Sequence, residues 1–442
     1  MIGLLFRVQV LSGLLCISAN SSFAVENLLD VYVLAVASDP QLKQVQLELS
    51  IATESRRINF SRFLPNISVS GDVTNNLQKR TYDVSQFDGE EEYNSYSYAL
   101  SLNQPLFRYD NHVSYKQAAD RIKQTNTELV AARQALIVRL SERYFDVLAA
   151  QDNLRFIDAE KRAVERQLEQ AETWLNGGLA AITDVYEARA QLDTTKSLEI
   201  DAQIQLENSL ESLRELTNRH HNKLKPLSKS LVLVESELLD IEEWVELALT
   251  SNLQIASLRY NNQMLRWDIS RQRTGHYPTL DLVANYSKLN SGGGNFGRSD
   301  TETRSVALQF NLPLYQGGLV TGRVKEAVFL YEQNLEKLDA TIRAVRSEVR
   351  KAYFGVTGSA ARMMSLQQSV ISNSKALKAI EAGRKLGMRT IGDVLSATQK
   401  VYQAERDHER VRYDYVLNGL RLQKSAGILS LVYLEKINLW LE

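Results

Sequence analysis

The stretch Gly178-Leu179-Ala180-Ala181-Ile182-Thr183-Asp184-Val185 returns 209 positions later as Gly387-Met388-Arg389-Thr390-Ile391-Gly392-Asp393-Val394. Agreement of that length within one chain marks an internal repeat, which governs the fold before any local pattern does. Outward from it, nearly the same offset sets Tyr144-Phe145 against Tyr353-Phe354. It also sets Leu102-Asn103-Gln104-Pro105-Leu106-Phe107 against Phe310-Asn311-Leu312-Pro313-Leu314-Tyr315, and Leu64-Pro65-Asn66-Ile67-Ser68-Val69 against Tyr277-Pro278-Thr279-Leu280-Asp281-Leu282. The chain is therefore two tandem copies of a strand, loop, strand and long-helix unit.

The quoted turns separate helices of unusual length. Asp110 to Leu175 contains neither proline nor glycine, and a helix of that span is on the order of 100 Å long at ~1.5 Å per residue. Leu140, Val147, Leu154, Leu168 and Leu175 recur every seven residues with Lys161 as the exception, and Ala150, Ile157, Val164 and Ala171 follow three later. Such heptads specify coiled-coil packing. Gly178 and Gly387 supply the left-handed backbone that a tight turn between helices requires.

Upstream of each long helix, two segments alternate with period two. Ile67, Val69, Gly71 and Val73 interleave with Ser68, Ser70, Asp72 and Thr74; Tyr96, Tyr98, Leu100 and Leu102 interleave with Ser97, Ala99, Ser101 and Asn103. The second copy repeats this with Leu280, Leu282, Ala284 and Tyr286, then Val306, Leu308 and Phe310. One face is greasy, and the other is small and polar rather than charged. With tyrosines toward the loop ends, this favours a membrane barrel over a soluble sandwich. Four strands cannot close a barrel, since roughly eight are needed even for a packed interior. Several chains must pool their strands. The intervening segments, Asn75 to Tyr93 (with Asp88, Glu90, Glu91 and Glu92) and Lys288 to Thr301 (with Gly292-Gly293-Gly294), read as polar surface loops.

Residues 1–24 read as a signal peptide, with Arg7, an apolar stretch from Val8 to Ile17, and Ser22-Phe23-Ala24 before the cut. The single cysteine, Cys16, lies inside it behind Leu14 and Leu15, the wrong context for lipidation. The remainder carries 51 basic against 53 acidic residues, no footprint for nucleic acid. After the signal no apolar run of transmembrane-helix length occurs, so any membrane passage must be a closed β-barrel.

The expected division is the signal, a first repeat (25–221; strands about 64–75 and 94–105, helices 107–176 and 184–218), and an equatorial mixed segment (222–251). A second repeat follows (252–427; strands about 277–288 and 302–313, helices 318–386 and 392–426), then a C-terminal segment (428–442). Shorter helices are expected at about 40–62 and 253–274. No phosphate loop, dinucleotide fingerprint or zinc-spaced set occurs, so no cofactor and no metal site is expected, and no nucleophile, base and metal constellation suggests an enzyme. His220-His221 reads as a solvent-exposed pair.

The two glycine-turn stretches, together with Pro278-Thr279-Leu280-Asp281-Leu282 and Pro313-Leu314-Tyr315-Gln316-Gly317-Gly318, resemble the TolC family of outer-membrane efflux and secretion channels over essentially the whole mature chain. The resemblance implies a mainly α protein with a membrane β-barrel: a homotrimer whose trimeric 12-stranded barrel, four strands per chain, continues into a coiled-coil helical tunnel in the periplasm. It implies an exit duct embedded in outer-membrane lipid. A periplasmic adaptor (membrane fusion) protein would dock at Gly178, Leu179, Gly387 and Met388, joining the duct to an inner-membrane RND, ABC or MFS transporter. It further implies gate links, with Asp184 matching a linking acid, Arg389 a linking base, and Gln167 and Glu381 a second pair. Asp393 matches a pore-lining aspartate whose three copies would form a ring.

Two positions depart from the family pattern. Arg384 stands where a latching tyrosine is expected, and Ser396 where a second pore aspartate is expected, leaving one carboxylate ring. The second copy alone brings Arg384, Arg389 and Asp393 to the gate, so the duplicated unit divides into a fixed half and a gating half. The rival reading is a periplasmic coiled-coil scaffold with a soluble sheet.

Overall fold

The computed structural model describes residues 25–81, 83–84, 89–228, 240–294 and 297–442. The signal-peptide reading, Asp88 and residues 229–239 of the mixed segment lie outside them.

In chain order the elements are α1 (Leu28–Ser38), α2 (Pro40–Ser61), β1 (Asn66–Arg80), β2 (Gly89–Phe107), α3 (Tyr109–Asn176), α4 (Ile182–Thr217), α5 (Ile241–Ser251) and α6 (Leu253–Arg273). There follow β3 (Thr279–Ser291), β4 (Ser299–Asn311), α7 (Leu319–Lys385), α8 (Ile391–Ser425) and α9 (Leu431–Asn438). Helices α3 and α7 run 68 and 67 residues without interruption. Each folds back on a partner half its length: α4 of 36 residues and α8 of 35. The remaining half of α3 is covered by α2 and α6, and α6 also packs on α7.

The heptad positions turn inward. Leu140, Val147, Ala150, Ile157, Val164 and Ala171 are buried. Lys161 breaks the apolar register because its ammonium crosses to Glu199 of α4 at 2.6 Å. The main core lies at mid-length, where Leu28 and Val31 of α1, Leu140, Tyr144 and Phe145 of α3, Leu213 of α4, Val349 of α7, Leu420 of α8 and Ile437 of α9 meet. Two isolated bridges, Glu26 with Leu224 and Leu227 with Leu441, tie the ends of the described chain to this belt.

The four strands form one antiparallel sheet in the order β1-β2-β3-β4. Its register settles a matter that alternation alone left open. Ile67 pairs with Leu102, Leu102 with Ala284, and Ala284 with Val306, so the greasy faces of both hairpins form one continuous surface. That surface is bare: Val69 is 77% exposed, Val306 76% and Leu308 66%. No second sheet covers it among the described residues.

The strands run further than the sequence reading placed them, and the two expected loops shrink accordingly. Asn75–Arg80 and Gly89–Tyr93 are paired strand, as are Lys288–Ser291 and Ser299–Thr301. Cross-strand charge carries the pairing outward, with Arg80 on Glu91 at 2.7 Å and Lys288 on Asp300 at 3.4 Å. Such opposite-charge pairs stabilise a ladder beyond its apolar part.

The histidine expectation holds for one ring of the pair only. His220 is exposed, but His221 is buried. Its Nδ1 faces the Glu26 carboxylate, and its Nε2 lies 2.7 Å from the Thr217 hydroxyl, so it clasps the segment before α1 onto the end of α4.

Candidate functional site: the helix-turn end

The two turns share one backbone solution. In the first, the Gly178 N–H donates to Leu175 O at 3.0 Å and the Leu179 N–H to Trp174 O at 2.8 Å. In the second, the Gly387 N–H donates to Arg384 O at 3.0 Å and the Met388 N–H to Gly383 O at 2.9 Å. Both glycines sit at positive φ, 71° and 74°. This is the Schellman closure, which satisfies the last carbonyls of α3 and α7. It also turns the next side chain outward: Leu179 and Met388 are 80% and 69% exposed.

Beyond the turns the copies diverge at the residue that starts the next helix. In the second, Thr390 caps α8. Its hydroxyl accepts from the Asp393 N–H at 3.1 Å, and the Asp393 carboxylate accepts from the Thr390 N–H at 3.0 Å, a reciprocal capping box. In the first, the corresponding residue is Ala181, which has no hydroxyl to offer. Asp184 is therefore free of capping and takes the Arg384 guanidinium at 2.7 Å instead. Two carboxylates descended from one position thus do different work because one helix-starting residue differs.

The intrachain partner of Asp184 is thus Arg384, not the expected Arg389. Arg389 packs along Gly383 in its own hairpin, its Cγ 3.0 Å from where a Cβ on that glycine would lie. Its charge acts on Asp393. Gln167 and Glu381 are both half-buried, and among the described residues no hydrogen bond or ion pair within the chain joins them. Ser396 is exposed. The expected pore carboxylate, Asp393, is turned back onto its own helix start, which ties up its Oδ2.

The Thr390 backbone N–H, with help from the Arg389 charge, holds the Asp393 carboxyl below its ordinary range. A depressed folded pKa contributes stability that is present above the unfolded value and lost as pH falls through the folded one. Asp393→Asn is therefore expected to lower the melting temperature at pH 7, and the gap from wild type is expected to narrow as the pH falls towards 3. An unchanged gap at pH 3 in circular-dichroism melts would contradict the cap.

The hairpins are joined along their length by links absent from the sequence reading. Arg406 of α8 meets Glu160 of α3 at 3.0 Å, with Glu160 only 1% exposed. The Tyr413 hydroxyl donates to Asp152 at 2.6 Å, Arg410 meets Asp146 at 3.1 Å, and Arg421 meets Glu142 at 2.7 Å. Burial pushes the Asp152 carboxyl up, against the pull of the Tyr413 hydroxyl. A small apolar cluster closes the turn end: Val164 of α3, Ala188 and Leu192 of α4, and Ile391 and Leu395 of α8. At the opposite end of α3, Arg108 forks onto Asp281 of β3 at 2.9 and 2.7 Å, fixing the sheet to the helices. The sequence carried no signal for these links: Lys161, the one charge at a heptad position, pairs within its own hairpin, with Glu199 of α4.

Comparison with known proteins places this geometry. A family model described as outer membrane efflux protein matches residues 31–219 and 244–428, one match per repeat. The chain is 34% identical to the outer membrane protein TolC of Vibrio cholerae, over 93% of both chains. It is 29% identical to the alkaline protease secretion protein AprF of Pseudomonas aeruginosa, over 93% of this chain and 86% of that one. In fold it matches the crystal structure of the Campylobacter jejuni CmeC outer membrane channel, with a TM-score of 0.78, 18% identity, and coverage of 95% of this chain and 91% of that chain. These relatives are channel and secretion proteins rather than enzymes. A bare apolar sheet on a long helical shaft, built twice from one unit, has its place among them: the chain belongs to the outer membrane efflux protein family, and is an outer-membrane exit duct of the efflux or type I secretion kind whose helical part stands in the periplasm.

Proposed function

We propose that three copies assemble, pooling their strands into one barrel, and that the assembly passively conducts drugs, small molecules or proteins delivered by an inner-membrane pump. The observation that carries this reading is the sheet. Among the described residues β1 and β4 have one strand neighbour each, and one face carries a continuous apolar band, from Ile67 and Val69 to Val306 and Leu308, that nothing covers. In lipid an unpaired edge is intolerable, so β4 of one copy pairs with β1 of the next until the ring closes. The shaft then continues the barrel into the periplasm, where exposed Leu179 and Met388, presented by Gly178 and Gly387, form the rim on which a periplasmic adaptor docks.

The Asp184–Arg384 link joins the first hairpin to the second, so on this reading it restrains the closed end, with Arg389, Gln167 and Glu381 available for links between copies. The Asp393 ring is weaker than a free carboxylate ring, since each copy is half committed to its cap. The pump, whether of RND, ABC or MFS type, supplies the energy and most of the choice of cargo.

The test is deletion of the gene, followed by drug-susceptibility and secreted-protein assays, with the purified protein examined for a heat-modifiable oligomer. Drug sensitivity or loss of a secreted protein, with an oligomer that dissociates only on boiling, is the expected result. A monomeric protein recovered from the soluble periplasm would establish the scaffold instead.

A further inference from the structure

Compared at the repeat offset, the two hairpin ends carry opposite charge. Residues 165–190 hold five acids (Glu165, Glu169, Glu172, Asp184 and Glu187) and two bases, whereas residues 374–399 hold five bases (Lys375, Lys378, Arg384, Lys385 and Arg389) and two acids. The structure brings these ends together at two points. Arg384 reaches from α7 to Asp184 at 2.7 Å, and its Cζ lies 5.2 Å from the centre of the Trp174 ring at the end of α3. Its Nε is buried with no hydrogen-bond partner among the described residues, so the aromatic face is what offsets its desolvation. At the second point, Glu187 of α4 lies at the start of α8. Its Oε2 is 3.1 Å from where a Cβ on Gly392 would stand, and the absence of a side chain there lets the carboxylate approach the positive end of that helix.

We propose that Trp174 is the residue that positions Arg384 for its pair with Asp184, the intrachain part of the latch that restrains the closed end. The proposal rests on the gated-duct reading above and adds to it a residue and a physical response. Asp184 supplies the charge, but a guanidinium on a flexible stem holds one geometry only when its plane is supported. Trp174 supports it, and because Leu179 N–H closes the first turn on Trp174 O, the ring is tied to the turn itself. Swinging the second hairpin away removes the ion pair, the cation–π contact and the Glu187 approach together. A latch made of charges is screened by salt, since the screening length falls from about 10 Å at 0.1 M to about 3 Å at 1 M ionic strength.

The experiment is single-channel recording of the purified full-length protein in planar bilayers, with heat-stable oligomer and helix content verified for each variant. Wild-type resting conductance, divided by bulk conductivity, is expected to rise between 0.1 and 1 M KCl. Trp174→Ala and Trp174→Leu are expected to raise resting conductance several-fold and to flatten that salt response, while Trp174→Tyr keeps both near wild type. The double variant Asp184→Asn with Glu187→Gln is expected to match Trp174→Leu, and it carries the test if Trp174→Ala fails to assemble. Channels whose conductance is the same in wild type and Trp174→Leu overturn the positioning role of Trp174. So does a Trp174→Tyr channel as open as Trp174→Ala. A wild-type protein that forms no channels at all counts against the duct reading instead.

Discussion

Leu308→Arg is expected to cost up to about 2–4 kcal/mol per chain in membrane insertion, the penalty that a cation on the lipid face of a barrel reaches at the bilayer midplane. Leu308 points to the same side as Leu282, its cross-strand partner, and as Val306 and Phe310 two residues away on β4. All three β4 residues are more than half exposed in the single chain. Multiplied over the copies of a closed ring, that penalty is large enough to abolish assembly. Ala307→Arg, one position along, places the same charge on the small, polar face with Ser305 and Gln309. It is expected to insert and assemble and to change only conductance. The pair is read by extracting outer membranes and scoring the heat-modifiable oligomer. Equal yields of the two variants would mean that the sheet faces are not divided between lipid and lumen.

Arg406→Ala is expected to destabilise the helical shaft by about 3–5 kcal/mol, the cost of leaving a buried charge without its partner. Glu160 is almost fully enclosed at the seam of α3 and α8, and its other oxygen already lacks a hydrogen bond. Removing the guanidinium therefore strands the carboxylate. Glu160→Gln together with Arg406→Ala should recover much of the loss, because the neutral amide no longer demands a counter-charge. Thermal melts followed by circular dichroism decide this. A single variant that melts with wild type would show that water reaches Glu160 and that the seam is looser than its geometry implies. By comparison Arg421→Ala, half exposed and paired with a partly exposed Glu142, should cost no more than about 1 kcal/mol.

Much of the architecture was legible because it is written in local periodicity. Alternation over residues 65–74 and 95–103 follows from a sheet with one apolar face, and the proline-free and glycine-free run up to Leu175 follows from an unbroken helix. The matching turns at Gly178 and Gly387 revealed the duplication. Strand ends were less legible, because polar residues such as Arg80 and Glu91 pair across a hairpin as well as they solvate a loop. The charged residues at the helix turns were legible as a group, but not their pairings within the chain. Asp184, Arg384 and Arg389 all stand at the tip, yet the sequence offered no means to choose which base the acid takes. Trp174 and Glu187 carry no distinctive sequence signal, since an aromatic or an acid near a helix end has several ordinary uses.

Taken alone, the sequence determined that one unit occurs twice, that each unit holds two amphipathic strands and a pair of long helices, and that glycine closes each helix turn. These are properties of consecutive residues, set by backbone geometry and by which face of an element meets water. Only the tertiary structure decided that β2 lies beside β3 and so joins the two greasy faces. It also decided that Glu160 meets Arg406 across 246 residues and that Asp184 meets Arg384 across 200. Which side chains touch across such distances depends on how the helices are packed side by side. The same dependence separates the two copies at their tips: Thr390 binds Asp393 within its own turn, whereas Ala181 leaves Asp184 to whatever the packing brings near it, which is an arginine lying on Trp174.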